Sequence, residues 1–160
     1  MIKDVRGDIL LSKAAAIAHG VAPNDHFAHG LALRERWPSM AKDFRHYYHV
    51  SHPKPGEMWA WAGAGGVRII NLMTQEPGPD HASGHPGKAK VKHVNHALRH
   101  LRQWILDEGI ESTAISAVAT GVGGLDWNDV KPLVHTHLGD LDATVYIYTD
   151  CVPGEQAKEA

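Results

Sequence analysis

Apolar positions along this chain recur with two different spacings, and the switches between them mark out its elements. Val91, Val94, Leu98, Leu101 and Ile105 follow steps of three and four, so residues 91–105 form the clearest amphipathic helix. Gly109 is a natural cap for its C-terminus. Residues 31–37 predict a helix that stops at Pro38, residues 40–50 a second rich in aromatic residues and histidine, and residues 129–139 another. Strand-like runs occupy residues 2–5, 14–19, 58–61, 67–73, 112–119 and 144–149, the last with Tyr146 and Tyr148 alternating. Residues 14–19 read Ala-Ala-Ala-Ile-Ala-His, and their short length ahead of Gly20 favours a buried strand over a helix. Residues 52–56 and 63–66 are turns, whereas residues 75–88, rich in Pro, Gly, His and Asp, read as a long loop. Long ordered loops are often functional.

Strands alternating with helices predict an α/β sandwich around a largely parallel sheet, with ligands at the carboxyl ends of the strands. One domain over residues 1–150 accounts for the pattern, and residues 151–160 read as a disordered C-terminal tail.

Composition narrows the function classes. The chain is 43% apolar and 21% charged, as in ordinary soluble proteins. Its formal net charge of −2 excludes a broad cationic surface and weighs against a nucleic-acid partner. Lys88, Lys90, Lys92, His93, Arg99, His100 and Arg102 crowd together, which reads as a solvated helix face. The single cysteine, Cys151, allows no intrachain disulfide and no cysteine-based zinc site. Among 13 histidines, His93, His96 and His100 share one helical side, but no H-E-x-x-H pattern or carboxylate cluster accompanies them, and no metal site is expected. With no secretory h-region and no membrane-spanning apolar run, the chain reads as cytoplasmic, without a membrane partner.

Four constellations carry candidate chemistry. Ala119-Thr120-Gly121-Val122-Gly123-Gly124-Leu125 follows an apolar strand and precedes a helix. Its glycines let backbone N–H groups close around phosphate oxygens, although an isolated G-x-G-G is more often a tight turn. Residues 20–30, from Gly20 through His29 to Gly30, form a second glycine-bearing strand–loop–helix connection. Two such loops suit a diphosphate held from both sides. Gly7-Asp8-Ile9 places a carboxylate at the end of the first strand, where a plain turn is the alternative. Lys88, just ahead of the long helix, is either solvated or placed to attack a sugar C1″ or polarise a leaving group.

Together these segments, with Ala18-His19, Ile69-Ile70-Asn71-Leu72-Met73-Thr74, Gly87-Lys88 and Gly124-Leu125-Asp126-Trp127, resemble the macrodomain superfamily over nearly the whole chain. The Gly-Lys and Gly-Gly-Leu-Asp-Trp segments are similar to the branch of terminal ADP-ribose protein glycohydrolase and the bacterial antitoxins that strip ADP-ribose from DNA. The resemblance implies a three-layer α/β/α macrodomain sandwich with a mixed, largely parallel central sheet. It implies that Asp8 binds the adenine amino group, supported by the Ile9 backbone, and that Tyr148 lies against the adenine ring. Gly20, His29 and Gly30 on one side, and Thr120, Gly121, Val122, Gly123, Gly124 and Leu125 on the other, would enclose the diphosphate and distal ribose. Lys88 falls at the branch's catalytic lysine. Two departures stand out: His29-Gly30 replaces the usual run of glycines, and the glycohydrolase's catalytic aspartate aligns with Gly123.

The implied activity is hydrolysis of ADP-ribose from modified protein side chains, as glutamate or aspartate esters, with ADP-ribose or an ADP-ribosylated protein as partner and no cofactor. The alternatives are a reader of ADP-ribose without turnover, or a hydrolase of ADP-ribosylated DNA or of O-acetyl-ADP-ribose.

Overall fold

Five strands run parallel because helices and loops return the chain to the same sheet edge before each. In this computed structural model, which describes residues 1–27, 31–78 and 86–159, the strands are β1 (Ile2–Gly7), β2 (Ala16–Gly20), β3 (Met58–Ala62), β4 (Arg68–Leu72), β5 (Gln75–Pro77), β6 (Pro86–Ala89), β7 (Ser112–Ser116) and β8 (Thr144–Cys151). The main sheet has the order β1-β8-β7-β2-β4-β3, with β3 antiparallel on its edge and all other pairings parallel. Helices α1 (Leu31–Arg36), α2 (Pro38–Ser51), α3 (Val91–Glu108) and α4 (Trp127–Leu138) complete the α/β/α sandwich.

The period of two in the strands decides which layer each side chain joins. Ala16, Ala18, Ile70, Leu72, Ile115, Val145 and Ile147 face α3 and α4, which contribute Val94, Leu98, Leu101, Ile105, Val130 and Val134. Ile17, Ile69, Ala114 and Tyr148 face the other way, against Leu33, Met40 and Phe44 of α1 and α2. Burying each of Leu98, Leu101 and Ile105 contributes about 1.5–3 kcal/mol.

Three elements differ from the sequence pattern, each for a local reason. Pro38 starts α2 rather than only stopping α1, because its fixed φ and missing N–H suit the first helical turn. Within the expected loop, β5 and β6 pair antiparallel, joining Gln75 to Ala89 and Pro77 to Pro86. Proline is tolerated in so short and peripheral a ladder, and it also hid the strands from a propensity reading. β7 ends at Ser116 because the Val118 N–H turns back to the Ser116 carbonyl at 2.8 Å and Ala119 takes a left-handed φ of 68°.

Beyond β8, residues read as a disordered tail fold back over β1 and β8. The Val152 N–H bonds to the Gly7 carbonyl at 3.1 Å, and the Asp8 N–H to the Glu155 carbonyl at 2.6 Å. The Glu159 carboxylate then accepts from Ser12 Oγ (2.6 Å), the Lys13 N–H (3.0 Å) and the Tyr148 hydroxyl (2.7 Å). Ala157 packs on the apolar layer here, which also holds Val5 and Tyr148. This segment is called the strap below.

Candidate functional site

Neighbouring strands β2 and β7 send their following chain in opposite directions. After β2 the chain passes through α1 and α2 to β3 and β4, and after β7 through α4 to β8 on the other side. Such a switch point opens a crevice at the carboxyl ends of the strands. A cleft of about 210 Å³ lies there, lined by residues that include His19, Gly20, Asp25, Phe27, Gln75, Pro86, Ser116, Gly121, Val122 and Gly123. A larger hollow of about 500 Å³ along α1 and α2, with Arg34, Lys42 and Arg45, shares only Asp25 with it among the described residues. Chemistry rather than size selects the smaller one, because only there do glycine loops and strand ends converge.

The loop after β7 supplies donors. Its own closure uses the Leu125 N–H to the Ala119 carbonyl (3.0 Å) and the Gly124 N–H to the Gly121 carbonyl (3.1 Å). The Thr120 hydroxyl turns inward to the Ala117 carbonyl at 2.7 Å. The successive N–H groups of residues 119–123 have no acceptor among the described residues, the arrangement of an anion-binding nest. Asp126 is not spare for chemistry: it caps α4, accepting from the Asn128 N–H at 2.8 Å.

Lys88 is carried to this loop by β6. The Ala89 N–H bonds to the Gly123 carbonyl at 3.0 Å, and Gln75 Nε2 holds the Gly87 carbonyl at 3.2 Å. Gly124 has a φ of +79°, and a Cβ on it would stand 3.4 Å from Lys88 Nζ, so this glycine makes room for the ammonium group. The hairpin is moored to α3 by Glu76 Oε1, which receives Lys90 Nζ at 3.0 Å and faces His93 Nε2 at 2.9 Å. Hydrogen bonds from His93 and Lys90 hold the Glu76 carboxyl below its usual range. His93 is thereby turned into the core, and His96 packs beside Gly56. Among the described residues, no group of three or more potential ligands is placed to hold a metal.

Sequence reasoning missed the polar floor of the cleft. His19 Nε2 meets Asn71 Oδ1 at 2.6 Å, and burial pushes the imidazole pKa down to about 4, against the smaller opposing effect of that bond. Asp25 shapes the adjoining turn, its carboxylate accepting the Phe27 N–H at 2.7 Å and the Ala22 N–H at 3.3 Å. Phe27 there adopts a left-handed φ of 62°. The available signal was two polar residues, His19 and Asn71, inside otherwise apolar strands.

The predicted residues divide into two groups. Gly20, Gly121, Val122 and Gly123 line the cleft, with Thr120, Gly124 and Leu125 completing the loop beside Lys88. Asp8, Ile9 and Tyr148 stand apart from its lining. Asp8 caps a short turn, accepting from the Leu10 N–H at 3.0 Å, and also receives the strap's Gly154 N–H at 2.9 Å. Tyr148 is 4% exposed beneath the strap, and burial, then the bond to Glu159, raises its pKa. His29 and Gly30 lie outside the described residues.

No family model matches the chain. It is similar to the DNA ADP-ribosyl glycohydrolase of Mycobacterium tuberculosis, 29% identical over 157 residues that cover 91% of this chain and 42% of that protein. The chain therefore spans less than half the length of this curated relative. The macrodomain of Mycobacterium tuberculosis DarG superposes with a TM-score of 0.75 at 27% identity, covering 91% of this chain and 97% of the other. The macrodomain of Thermus aquaticus DarG gives 0.81 at 21% identity, covering 93% and 98%. Thermosipho africanus DarTG in complex with ADP-ribose gives 0.80 at 21% identity, covering 97% and 42%. Sheet order, switch-point cleft and these likenesses together define the fold: this chain has the macrodomain α/β/α fold. In sequence and fold it is similar to the Mycobacterium tuberculosis DNA ADP-ribosyl glycohydrolase and to the DarG macrodomains named above. Among the described residues, no helix is long and apolar enough to cross a membrane.

Proposed function

We propose that this macrodomain binds ADP-ribose in the switch-point cleft and hydrolyses it from a macromolecular acceptor. The observation that carries this reading is the row of amides at residues 119–123, without an acceptor among the described residues, beside Lys88. The amides supply donors for diphosphate oxygens without a metal. Lys88 Nζ, beside Gly124, then attacks or polarises at the distal ribose C1″. In the net reaction the C1″–acceptor bond breaks, water supplies the new C1″–OH, and its remaining proton leaves with the acceptor.

On the acceptor, composition and comparisons pull differently. A net charge of −2 favoured protein carboxylate esters, whereas the relatives bear the name DNA ADP-ribosyl glycohydrolase. The Mycobacterium tuberculosis relative's match over 91% of this chain supports ADP-ribosylated DNA as the first substrate to test, with protein esters second. The reader alternative draws on Gly123, where an added Cβ would lie 2.6 Å from the Ala119 carbonyl oxygen, so this backbone has no space for the aspartate of the related glycohydrolase.

The test presents wild type and Lys88→Ala with ADP-ribosylated DNA and, separately, with glutamate-ADP-ribosylated protein. Release of free ADP-ribose by wild type and not by the variant supports the reading. Binding by both with release by neither gives the reader; full activity of Lys88→Ala removes the lysine from the mechanism.

A further inference from the structure

Parallel pairing of β2 with β4 sets His19 opposite Asn71. Asn71 is fully buried, and its amide nitrogen faces the Trp59 carbonyl at 3.4 Å and Met40 Sδ at 3.7 Å. Its oxygen is therefore the atom turned to His19, and the 2.6 Å contact requires a proton on His19 Nε2. Burial keeps the ring neutral at ordinary pH. A neutral imidazole protonated at Nε2 has a bare acceptor at Nδ1. Among the described residues that nitrogen has no hydrogen-bond partner, and the ring it belongs to lines the cleft. The ring is held in orientation against Phe27, with centroids 6.0 Å apart.

The cleft is thus asymmetric in its polarity. One wall presents the amide donors of residues 119–123, suited to phosphate oxygens. The floor presents a fixed acceptor, which a diphosphate oxygen cannot satisfy because it carries no proton at neutral pH. A sugar hydroxyl can. Resting on the ADP-ribose reading above, we infer that His19 Nδ1 accepts a hydrogen bond from a hydroxyl of the distal ribose, and so selects a nucleoside diphosphate that bears a further sugar over one that ends at the phosphate. His19 binds and orients that sugar; it does not act as a base, since a neutral ring of such low basicity takes up little proton charge near neutrality.

Titration calorimetry with ADP-ribose and with ADP tests this on wild type, His19→Phe and His19→Asn. Phenylalanine keeps the ring's packing and removes the acceptor, whereas asparagine restores an oxygen near the Nδ1 position. His19→Phe should lose about tenfold in affinity for ADP-ribose while its affinity for ADP stays unchanged, and His19→Asn should recover most of the loss. Equal losses for both ligands, or none, overturn the inference. A second measurement needs no variant: the ¹⁵N resonance of His19 Nδ1 in wild type should move on addition of ADP-ribose and stay in place with ADP. An unmoved resonance while ADP-ribose binds defeats this inference alone, whereas failure of wild type to bind ADP-ribose at all defeats the functional reading with it.

Discussion

Ala89 donates its backbone N–H to the carbonyl of Gly123 at 3.0 Å, so the strand that carries Lys88 and the loop that presents the amides are joined at one point. The two halves of the proposed chemistry are set against each other by this bond, not by contacts to ligand.

Gly123→Ala should therefore damage both halves. The added methyl would lie 2.6 Å from the Ala119 carbonyl oxygen and 2.9 Å from Ala89 Cβ, and neither neighbour is a flexible side-chain tip. Overpacking of this kind costs about 1–3 kcal/mol, and a displaced loop should weaken ADP-ribose binding at least about tenfold. Calorimetry and thermal unfolding read the two effects. Unchanged affinity would show that the loop tolerates a side chain and that its tight packing is not what shapes the nest.

Glu76→Gln should loosen the hairpin without altering the cleft walls. The native carboxyl is held below its ordinary range, so its contribution to stability is complete above the unfolded value near pH 4.5 and fades as pH falls through the lower folded value. Because the cluster is partly exposed, about 1 kcal/mol or less is expected at pH 7. Urea unfolding at pH 7 and pH 3 should show that difference shrinking toward zero. On the proposed mechanism, in which Lys88 acts at the distal ribose, release of ADP-ribose by Glu76→Gln should slow through kcat, since the carrier of Lys88 is less well fixed. A larger difference at pH 3 than at pH 7 would contradict the account.

His19 should make the fold acid-sensitive well above the carboxylate range. Its folded pKa of about 4 lies below the unfolded value of 6.5, so between these limits the unfolded chain binds the extra proton. Stability is complete above pH 6.5 and declines as pH falls toward 4, by about 3 kcal/mol in all. The His19→Phe variant should lack that part of the slope. If wild type and variant run parallel from pH 7 to pH 4, the ring is more solvated than the structure indicates.

Glu159→Ala should release the strap from Ser12, Lys13 and Tyr148 at once. Ultraviolet titration should then find Tyr148 ionising at lower pH than in wild type, with Tyr148→Phe identifying the signal. An unchanged titration would mean that burial by β1 and β8 alone, without the strap, sets the tyrosine.

Much of this architecture was legible in the sequence because it rests on local chemistry. The three- and four-residue spacing of Val94, Leu98, Leu101 and Ile105 announced α3 and its buried face. The glycines of residues 121–124 announced a loop of close backbone approach. The pairing of His19 with Asn71 was not legible, since it depends on the register of two strands that are 52 positions apart in the chain. Nor was the hairpin of β5 and β6, whose prolines and glycine argue against strand on every local scale. The strap was hidden for a different reason. Its residues are mostly polar and lack periodicity, and what orders them is hydrogen bonding to Gly7, Asp8, Ser12 and Tyr148, remote in sequence or on another element.

That strap has an equilibrium consequence. If Asp8 receives the adenine amino group at the Oδ2 position that now accepts the Gly154 N–H, base and strap exclude each other there, and ADP-ribose reaches it only in molecules whose strap is lifted. The measured dissociation constant is then the intrinsic one divided by the fraction lifted. Chains with identical clefts would differ in apparent affinity solely through the opening equilibrium of residues that line no part of the cleft.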